Sequence, residues 1–493
     1  MRTAGLVGLL EPISLACSAG LSGPADAAPR GPRYVLVKSA LLAVMVVASV
    51  PARAQTTPTL DAIARRLELL DQQNAALRDE VQALRREVER LKQPGSDETS
   101  TVARLDALDE QMNLQAGRLS EQDQVKAQSS QRVPLHLTGA LLFSLFRNSE
   151  HGVTAGVDYP VAARTDSAPA AWAGTLRRSI IGMEFQTPDA LFGGTFRGSV
   201  FMDLTEAGDL LTNIQPKLRT ASIEGRWKGF AILAGQEKPI FSVRDPTSLA
   251  QVQFAPLTGA GNFWLYRPQV RVEQTVSLGQ RREFRARIGV SQAPETGGAI
   301  PPESRATLEP RSPALEGHFQ VAHQMDDGRR VEIGSGFHKS TTHVLRTTVP
   351  ADLISLDWFV KPIRWAEFTG AVFTGENMSK GGSSGFAQGH ANVTLSPGVF
   401  QPVPVARRGG WAQLTFLPTS RLTVTLQAGV DNANNDYLLT TSLTKNRALV
   451  FNTFYRLAPN VLWGFELGHV RTTFKDGQQP SYTHHDIHVA YLF

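Results

Sequence analysis

Three histidines near the end of the chain, His484, His485 and His488, are of a residue type that could bind a metal ion. Imidazole nitrogens are common ligands of zinc and other transition metals. The surrounding residues alternate between apolar and polar types, and in a β-strand His485 points away from the face that carries the other two. The three imidazoles therefore do not converge. The pattern predicts a polar strand face, with no metal and no cofactor.

Nucleophilic catalysis would require a serine, a histidine and an acidic or amide partner in one patch. His338, Ser340 and His343 are close in sequence, but they fall in a predicted loop, where no spacing fixes a triad. The glycine-rich segment Gly381–Gly385 lacks the strand-to-helix context of a phosphate-binding loop. The sequence therefore predicts no catalytic residues and no enzyme.

Arginines recur on one face of a long series of alternating segments. After Arg132 the apolar residues repeat with a period of two, beginning with Leu135, Leu137, Leu141 and Phe143. A soluble β-sandwich would alternate in the same way, but charged residues and glycines this frequent on the second face favour a membrane barrel with a wet lumen. We therefore predict that six arginines face the lumen. They are Arg197, Arg219, Arg226, Arg271, Arg285 and Arg287.

The connections between these segments are alternately short and long. Seven short turns are predicted near residues 188–189, 228–229, 279–280, 326–328, 361–362, 418–419 and 459–460. Eight longer loops are predicted near residues 148–173, 205–216, 239–264, 292–312, 339–350, 375–408, 432–443 and 474–481. These connections define an all-β transmembrane barrel of about 16 antiparallel strands, with both ends on the short-turn side, as in bacterial outer-membrane barrels.

The last strand ends in an aromatic residue. Ile487, Val489, Tyr491 and Phe493 share one face. This ending resembles the C-terminal signal by which outer-membrane barrels are recognised for assembly. We expect Tyr491 and Phe493 to engage the barrel-assembly machinery.

Residues 60–91 show a heptad repeat, which is typical of an α-helical coiled coil. Its apolar seam includes Leu77 and Leu84, and Asn74 occupies an a position, where a buried amide fixes the register. Glu80 and Arg85 have the opposite charges that parallel self-association requires. An amphipathic helix packed on its own domain is the alternative, and the seam leaves two or three strands open.

The N-terminal residues have the parts of a secretory signal in the right order. A charged region precedes the apolar run Ala40–Val50, and Ala52-Arg53-Ala54 follows as a cleavage site. A buried helix is the alternative reading of this run. We predict a signal region over residues 1–54, a periplasmic coiled-coil segment over 55–132 and a barrel over 133–493. The sequence has no basic cluster with interleaved aromatic residues, which would be the sign of nucleic-acid binding.

Taken together, the signal, the heptad segment and the sixteen-stranded barrel ending in Tyr-Leu-Phe resemble the trimeric porins. The resemblance is to the DcaP-like group and, more distantly, to the phosphate-selective porins. It implies a trimer, a lumen constricted by the third loop and passive uptake of small anionic solutes. Acidic residues share the inward faces, which departs from the Lys/Arg ladder of the phosphate-selective group.

The resemblance places the third long loop, with Lys238, Arg244 and Asp245, at the pore constriction. A ring of Lys and Arg would raise the local anion concentration there. Alternatively, Arg244 pairs with Asp245 or with a wall carboxylate such as Glu224 or Glu273, and only rigidifies the loop.

The predicted function is that of an outer-membrane porin for small hydrophilic solutes, with a mild preference for anions. The alternative is an envelope tether that reaches the cell wall through the coiled coil. The expected partners are further copies of the chain, outer-membrane lipids, small anionic solutes and, for the tether, peptidoglycan.

Overall fold

The computed structural model describes residues 135–153, 158–206, 214–251, 256–293, 301–308, 313–325, 328–378, 389–434 and 436–493. The chain divides into two units, and the described residues all belong to the second, residues 120–493. The predicted signal peptide, the coiled coil and the Gly381–Gly385 segment lie outside the described residues. No helix in the described part of the chain is long and apolar enough to cross a membrane.

Nineteen β-strands make up most of the described residues. The first ten are β1 (Leu135–Asn148), β2 (Ala171–Thr175), β3 (Ile180–Ala190), β4 (Gly194–Glu206), β5 (Ile214–Trp227), β6 (Phe230–Glu237), β7 (Arg267–Ser277), β8 (Arg282–Ser291), β9 (Ala314–Gln324) and β10 (Arg330–Val344). The others are β11 (Thr347–Ile363), β12 (Ala366–Glu376), β13 (His390–Ser396), β14 (Val399–Pro404), β15 (Ala406–Phe416), β16 (Leu422–Ala433), β17 (Leu443–Ala458), β18 (Val461–Phe474) and β19 (Ser481–Leu492). A short α-helix, Pro302–Arg305, lies between β8 and β9, and two short 3-10 helices are Glu150–Gly152 and Leu191–Gly193.

The strands form one closed antiparallel barrel. Each wall strand pairs with its neighbours in chain order, and β1 pairs with β19 to close the ring. Both β2 and β3 pair with β1, so together they form one wall strand that is interrupted at residues 176–179. β13 and β14 form a separate hairpin inside a long loop. The wall therefore has sixteen strands, and the predicted strand count is confirmed.

The two faces of the wall differ as the period of two predicts. On β1, Leu141 and Phe143 point outward and are more than half exposed, whereas Ser144 and Asn148 point inward and are buried. The outer face is therefore apolar, as the lipid-facing band of a membrane barrel is. Phe493 continues this face and closes the ring, because its backbone exchanges two hydrogen bonds with Gly139 of β1.

The loop predicted over residues 339–350 is wrong. β10 and β11 continue through this region and are joined by a two-residue turn at Leu345 and Arg346, with φ angles of 50° and 58°. Glycine or asparagine ordinarily marks a hairpin turn with two positive φ angles, so Leu-Arg gave the sequence no turn signal. As a result, His338, Ser340 and His343 lie in a strand rather than in a loop.

Two of the short turns lie a few residues beyond their predicted positions. β3 continues to Ala190, and the turn falls at residues 191–193. β11 continues to Ile363 through a register irregularity, so that the turn falls at residues 364–365. In both places the predicted turn signal was a proline, which a strand accepts at an irregularity in its pairing.

Candidate pore constriction

The loop between β6 and β7, residues 238–266, runs across the inside of the barrel. In the ring order, β17 and β18 lie on the side opposite to β6 and β7. Gln251 donates a 3.1 Å hydrogen bond from Nε2 to Glu466 of β18, and the Ser248 hydroxyl donates to the same carboxylate. Asn452 of β17 donates from Nδ2 to the Thr247 carbonyl at 2.7 Å. The loop therefore spans the lumen between opposite walls.

The start of the loop is held by a buried group on the wall. The Ile240 amide donates to Glu316 Oε2 at 2.9 Å. Glu316 lies 3.2 Å from Arg267 at the base of β7 and accepts a 2.8 Å hydrogen bond from His338. Phe241 packs in a buried apolar cluster with Phe263 from the end of the loop, so the two ends of the loop contact each other.

His338 is the residue that comes nearest to a catalytic arrangement. Its ring lies between Glu316 and the Ser340 hydroxyl, which is 2.8 Å from Nε2. Ser340 is buried, and the neighbouring Arg267 neutralises the acidic member of the group. Because Glu316 also accepts from the Ile240 amide, the group connects the wall to the start of the loop. His343 lies on the other face of the strand, away from this group.

Arg244 is bound to the wall rather than to its own loop. Its guanidinium donates from Nε to Asp357 Oδ1 and from Nη2 to Glu332 Oε2, each at 2.6 Å. Its side chain is 14% exposed. Of the two interpretations left open by the sequence, this geometry is that of an ion pair with the wall, although Glu224, Glu273 and Asp245 are not the partners.

Lys238 and Asp245 form an ion pair with each other. Asp245 also accepts a 3.1 Å hydrogen bond from Asn262 Nδ2, and the Lys238 carbonyl accepts one from Gln269 of β7. These contacts join the first half of the loop to its last residues and to β7. The three predicted constriction residues therefore lie together in the loop that crosses the lumen, with each charge paired.

The middle of the loop is tied to the wall by amide side chains that sequence reasoning missed. The Thr247 amide donates to Gln413 Oε1 at 2.7 Å, and the Thr247 carbonyl accepts from Gln427. Gly429 allows another part of the loop to approach the wall, since a Cβ there would lie 2.2 Å from the Ala260 carbonyl oxygen. The available signal was a row of inward-facing polar residues at alternate strand positions.

The first loop covers the neighbouring part of the wall. Asp158 forms an ion pair with Arg177, and the Tyr159 ring packs 3.9 Å from the ring of His484. Burial, followed by the nearby carboxylate of Glu466, raises the pKa of Tyr159 well above its ordinary value. Asn446 of β17 donates to the Val161 carbonyl and to the Gly259 carbonyl, each at 2.7 Å, so it joins the first loop to the third.

The C-terminal histidines divide between the two faces of β19, as the period of two predicts. His484 and His488 are buried on the inner face, and His485 lies on the other face. The carboxylate of Asp486 lies between the two inner rings, 3.5 Å from His484 and 2.9 Å from His488, and pairs with Arg178. No cluster of three potential metal ligands occurs in the part of the chain that the structure describes.

The six predicted arginines all lie on the face opposite to the exposed apolar residues. Five of them have a carboxylate within ion-pair distance, and these pairs are Arg197 with Glu184, Arg219 with Asp203, Arg226 with Glu224, Arg285 with Glu273 and Glu283, and Arg287 with Glu273. Arg271 instead donates to Gln269 at 3.3 Å, and no described carboxylate lies within ion-pair distance of it.

Exposure differs sharply around the inner wall. On β16 to β19, inward side chains such as Gln427, Asn452 and Glu466 are 0% exposed beneath the loops. Arg197 and Arg226 on the opposite side keep 57% and 65% of their side-chain surface exposed. The open part of the lumen therefore lies along the inner face of β3 to β8, lined by arginines and carboxylates.

A closed barrel of sixteen strands with an apolar outer band, a polar interior and a loop across the lumen is a transmembrane β-barrel of the porin type. Among solved structures, the outer membrane channel DcaP of Acinetobacter baumannii is similar to this chain with a TM-score of 0.60 and 14% sequence identity, covering 73% of this chain and 97% of the DcaP chain. The chain thus has the fold of a DcaP-like porin, which confirms the fold that the sequence resemblance predicted.

Two further solved structures match the chain at lower similarity. The anion-selective porin from Comamonas acidovorans matches with a TM-score of 0.48 and 11% identity, covering 73% of this chain and 100% of that one. Outer-membrane expressed OmpT of Vibrio cholerae matches with a TM-score of 0.42 and 10% identity, covering 73% and 97%. No family model matches the chain. No curated protein matches it either.

Proposed function

We propose that the protein is an outer-membrane porin that lets small hydrophilic solutes diffuse passively, with a mild preference for anions. The observation that carries this proposal is the loop 238–266, which crosses the lumen to β17 and β18 and leaves the charged inner face of β3 to β8 open. A barrel of sixteen strands is wide enough for an aqueous channel. The polar lining supports hydrophilic solutes, because an apolar lining would hinder their entry.

The proposed anion preference is mild because most of the positive charge on the open wall is paired. Residues 133–493 carry a formal charge of +5. Arg271 is the lumen arginine that lacks a described carboxylate partner. An unpaired guanidinium in a narrow passage with low-dielectric walls raises the local anion concentration. We therefore assign Arg271 the largest share of the selectivity.

Lys238, Arg244 and Asp245 have a different role in this proposal. Their charges are paired with one another or with the wall, so they shape the constriction by holding the loop in place. The remaining lumen arginines, paired at 2.6–3.6 Å, contribute a weak field of both signs along the path.

The proposed cellular arrangement follows the sequence analysis. The barrel, residues 133–493, lies in the outer membrane as a trimer, and residues 55–132 form a coiled coil in the periplasm after removal of residues 1–54. Outer-membrane lipids surround the apolar face, and the barrel-assembly machinery recognises Tyr491 and Phe493. The tether alternative adds peptidoglycan as a partner of the coiled coil.

Planar-bilayer recording across a salt gradient tests the proposal, because the sign of the reversal potential reports which ion crosses more easily. We expect the wild type to be weakly anion-selective and Arg271→Gln to move the reversal potential toward cations. Lys339→Gln is the matched control, since Lys339 is exposed on the outer face of β10 and loses the same charge. The shift should shrink in about 1 M salt, where the screening length is about 3 Å.

Each part of the proposal has its own contradicting result. A cation-selective wild type would reject the anion preference and leave the porin function in place. Absence of conductance from well-folded protein would reject the porin function and favour the tether. If Lys339→Gln shifted the reversal potential as much as Arg271→Gln does, the position of Arg271 in the lumen would not determine the selectivity.

A further inference from the structure

A groove of about 860 Å³ lies on the outer, lipid-facing side of the barrel, across β11, β12 and β15 to β18. Its floor is made of small residues at neighbouring strand positions, namely Gly410, Ala412 and Ala428, of which Ala412 and Ala428 are directly paired. Val372 on one side and Leu449 on the other are large apolar side chains that remain 44% and 53% exposed. The floor and sides of the groove are therefore apolar and shaped to hold a hydrocarbon chain.

Cationic side chains surround the end of this groove that is nearest the long loops. Arg447 and Arg471 occupy directly opposed positions on β17 and β18. One row closer to the loops, Arg408 and Lys445 flank Asn432 across three adjacent strands. All four cations lie at the ends of their strands that lead into long loops. This end of a barrel faces the outside of the cell when the short turns are periplasmic.

The positive charge of the groove is not compensated by the described residues that line it. None of these lining residues is a carboxylate. Arg471 donates a 2.8 Å hydrogen bond to the side-chain oxygen of Gln479, which is neutral, so its charge is unpaired. The neighbouring Arg407 does pair with a carboxylate, Asp431, but on the inner face. Like charges directly opposite each other on paired strands destabilise the sheet. An anion between Arg447 and Arg471 would relieve this repulsion.

We propose that the groove binds a phosphorylated, acylated lipid of the outer leaflet, that is, a lipopolysaccharide molecule. Its acyl chain lies on the floor at Ala412 and Ala428, and its phosphate accepts hydrogen bonds from Arg447 and Arg471. Guanidinium groups form paired, charge-assisted hydrogen bonds with phosphate oxygens. A cationic patch alone would bind only the phosphate, and an apolar groove alone would bury only the acyl chain. The two features together therefore favour a lipid that has both groups. The inference rests on the proposed outer-membrane location but not on which solute the pore conducts.

Native mass spectrometry of the purified full chain tests this site, with diphosphorylated lipid A as the probe. We expect Arg447→Ala with Arg471→Ala to weaken lipid A binding by about tenfold or more, since each basic side chain near a membrane surface contributes appreciably to the binding of anionic lipid. Wild-type protein should prefer lipid A to its dephosphorylated form. Lys339→Ala with Arg346→Ala is the matched control, because it removes two cations from the same end of the barrel outside the groove, and its binding should equal wild type.

A second variant tests the apolar floor without changing charge. Ala428→Trp fills the groove and should weaken lipid A binding while the arginines remain, so the test still holds if the double arginine variant fails to fold. Equal binding by the arginine variant and its control, or no preference for the phosphorylated lipid, would overturn the proposal. Loss of the oligomer in Ala428→Trp with unchanged lipid binding would overturn it in favour of a second copy of the chain.

Conductance separates this inference from the proposed function. Arg447 and Arg471 point away from the lumen, so their double alanine variant should conduct as the wild type does. A wild type that binds lipid A but does not conduct would contradict the porin function and leave the lipid site standing.

Discussion

Replacing Arg244 with glutamine tests whether this residue anchors the loop or supplies a selectivity charge. The substitution removes two charge-assisted hydrogen bonds of 2.6 Å to Glu332 and Asp357. Removing one partner of a buried ion pair costs about 3–5 kcal/mol, because the other charge is left without compensation. Asp357 keeps a 2.6 Å contact with His318, and Glu332 keeps Arg330 and Gln320, so the lower end of that range applies.

A loss of about 3 kcal/mol changes the equilibrium between the attached and detached states of the first half of the loop by a factor of roughly 100. The middle of the loop stays bound to the wall through Thr247, Ser248 and Gln251. We therefore expect partial opening of the constriction. In single-channel recordings Arg244→Gln should show a larger and noisier conductance than the wild type.

The double variant Arg244→Gln with Asp357→Asn separates the two roles, because it removes one charge of each sign. If Arg244 is an anchor, the double variant keeps the larger conductance although its net charge equals that of the wild type. The increase should also persist in about 1 M salt, where surface charges are screened within about 3 Å. Asp357→Asn alone is the control for the loss of the carboxylate.

Two results would refute this reasoning. Wild-type conductance and selectivity in the double variant would mean that Arg244 acts through its charge. An unchanged conductance in Arg244→Gln itself would mean that the other contacts hold the loop without this ion pair.

The remaining predictions concern assembly and self-association. Phe493→Ser should reduce membrane assembly, because the outward aromatic group at the strand that closes the ring is lost, and the heat-modifiable band of folded barrel on a gel measures the effect. Normal folding of this variant would remove Phe493 from the assembly signal. A peptide of residues 60–91 should become more helical with concentration, and Asn74→Leu should raise its melting temperature while loosening its oligomeric state. Helicity that is independent of concentration, read by circular dichroism, would contradict the coiled coil.

The direction of each strand side chain could be read from the sequence. A β-strand has a period of two, so residue type at alternate positions reports which face meets lipid and which meets water. This local rule predicted that His484 and His488 share a face without His485, and it placed the six arginines opposite the apolar residues. It also predicted the sixteen strands, because each change between an apolar face and a turn is visible within a few residues.

Local rules failed where the backbone adopted a turn without its usual residues. Leu345 and Arg346 form a hairpin turn with positive φ angles, and the surrounding strands continue with their alternation intact. A turn supported by the pairing of two long strands needs less help from its own sequence. The tight turn at this position therefore had no signal in the sequence, and a long loop was predicted instead.

Only the tertiary structure decided which residues meet across the barrel. Arg244 binds Asp357 and Glu332, which are 113 and 88 residues away, because strand register brings those carboxylates under the loop. The position of the loop across the barrel also leaves the inner face of β3 to β8 open to the lumen. Strand register also brings Arg447 beside Arg471 on the outer wall, since a residue's neighbours on adjacent strands are set by register and ring closure, which no short window of sequence contains.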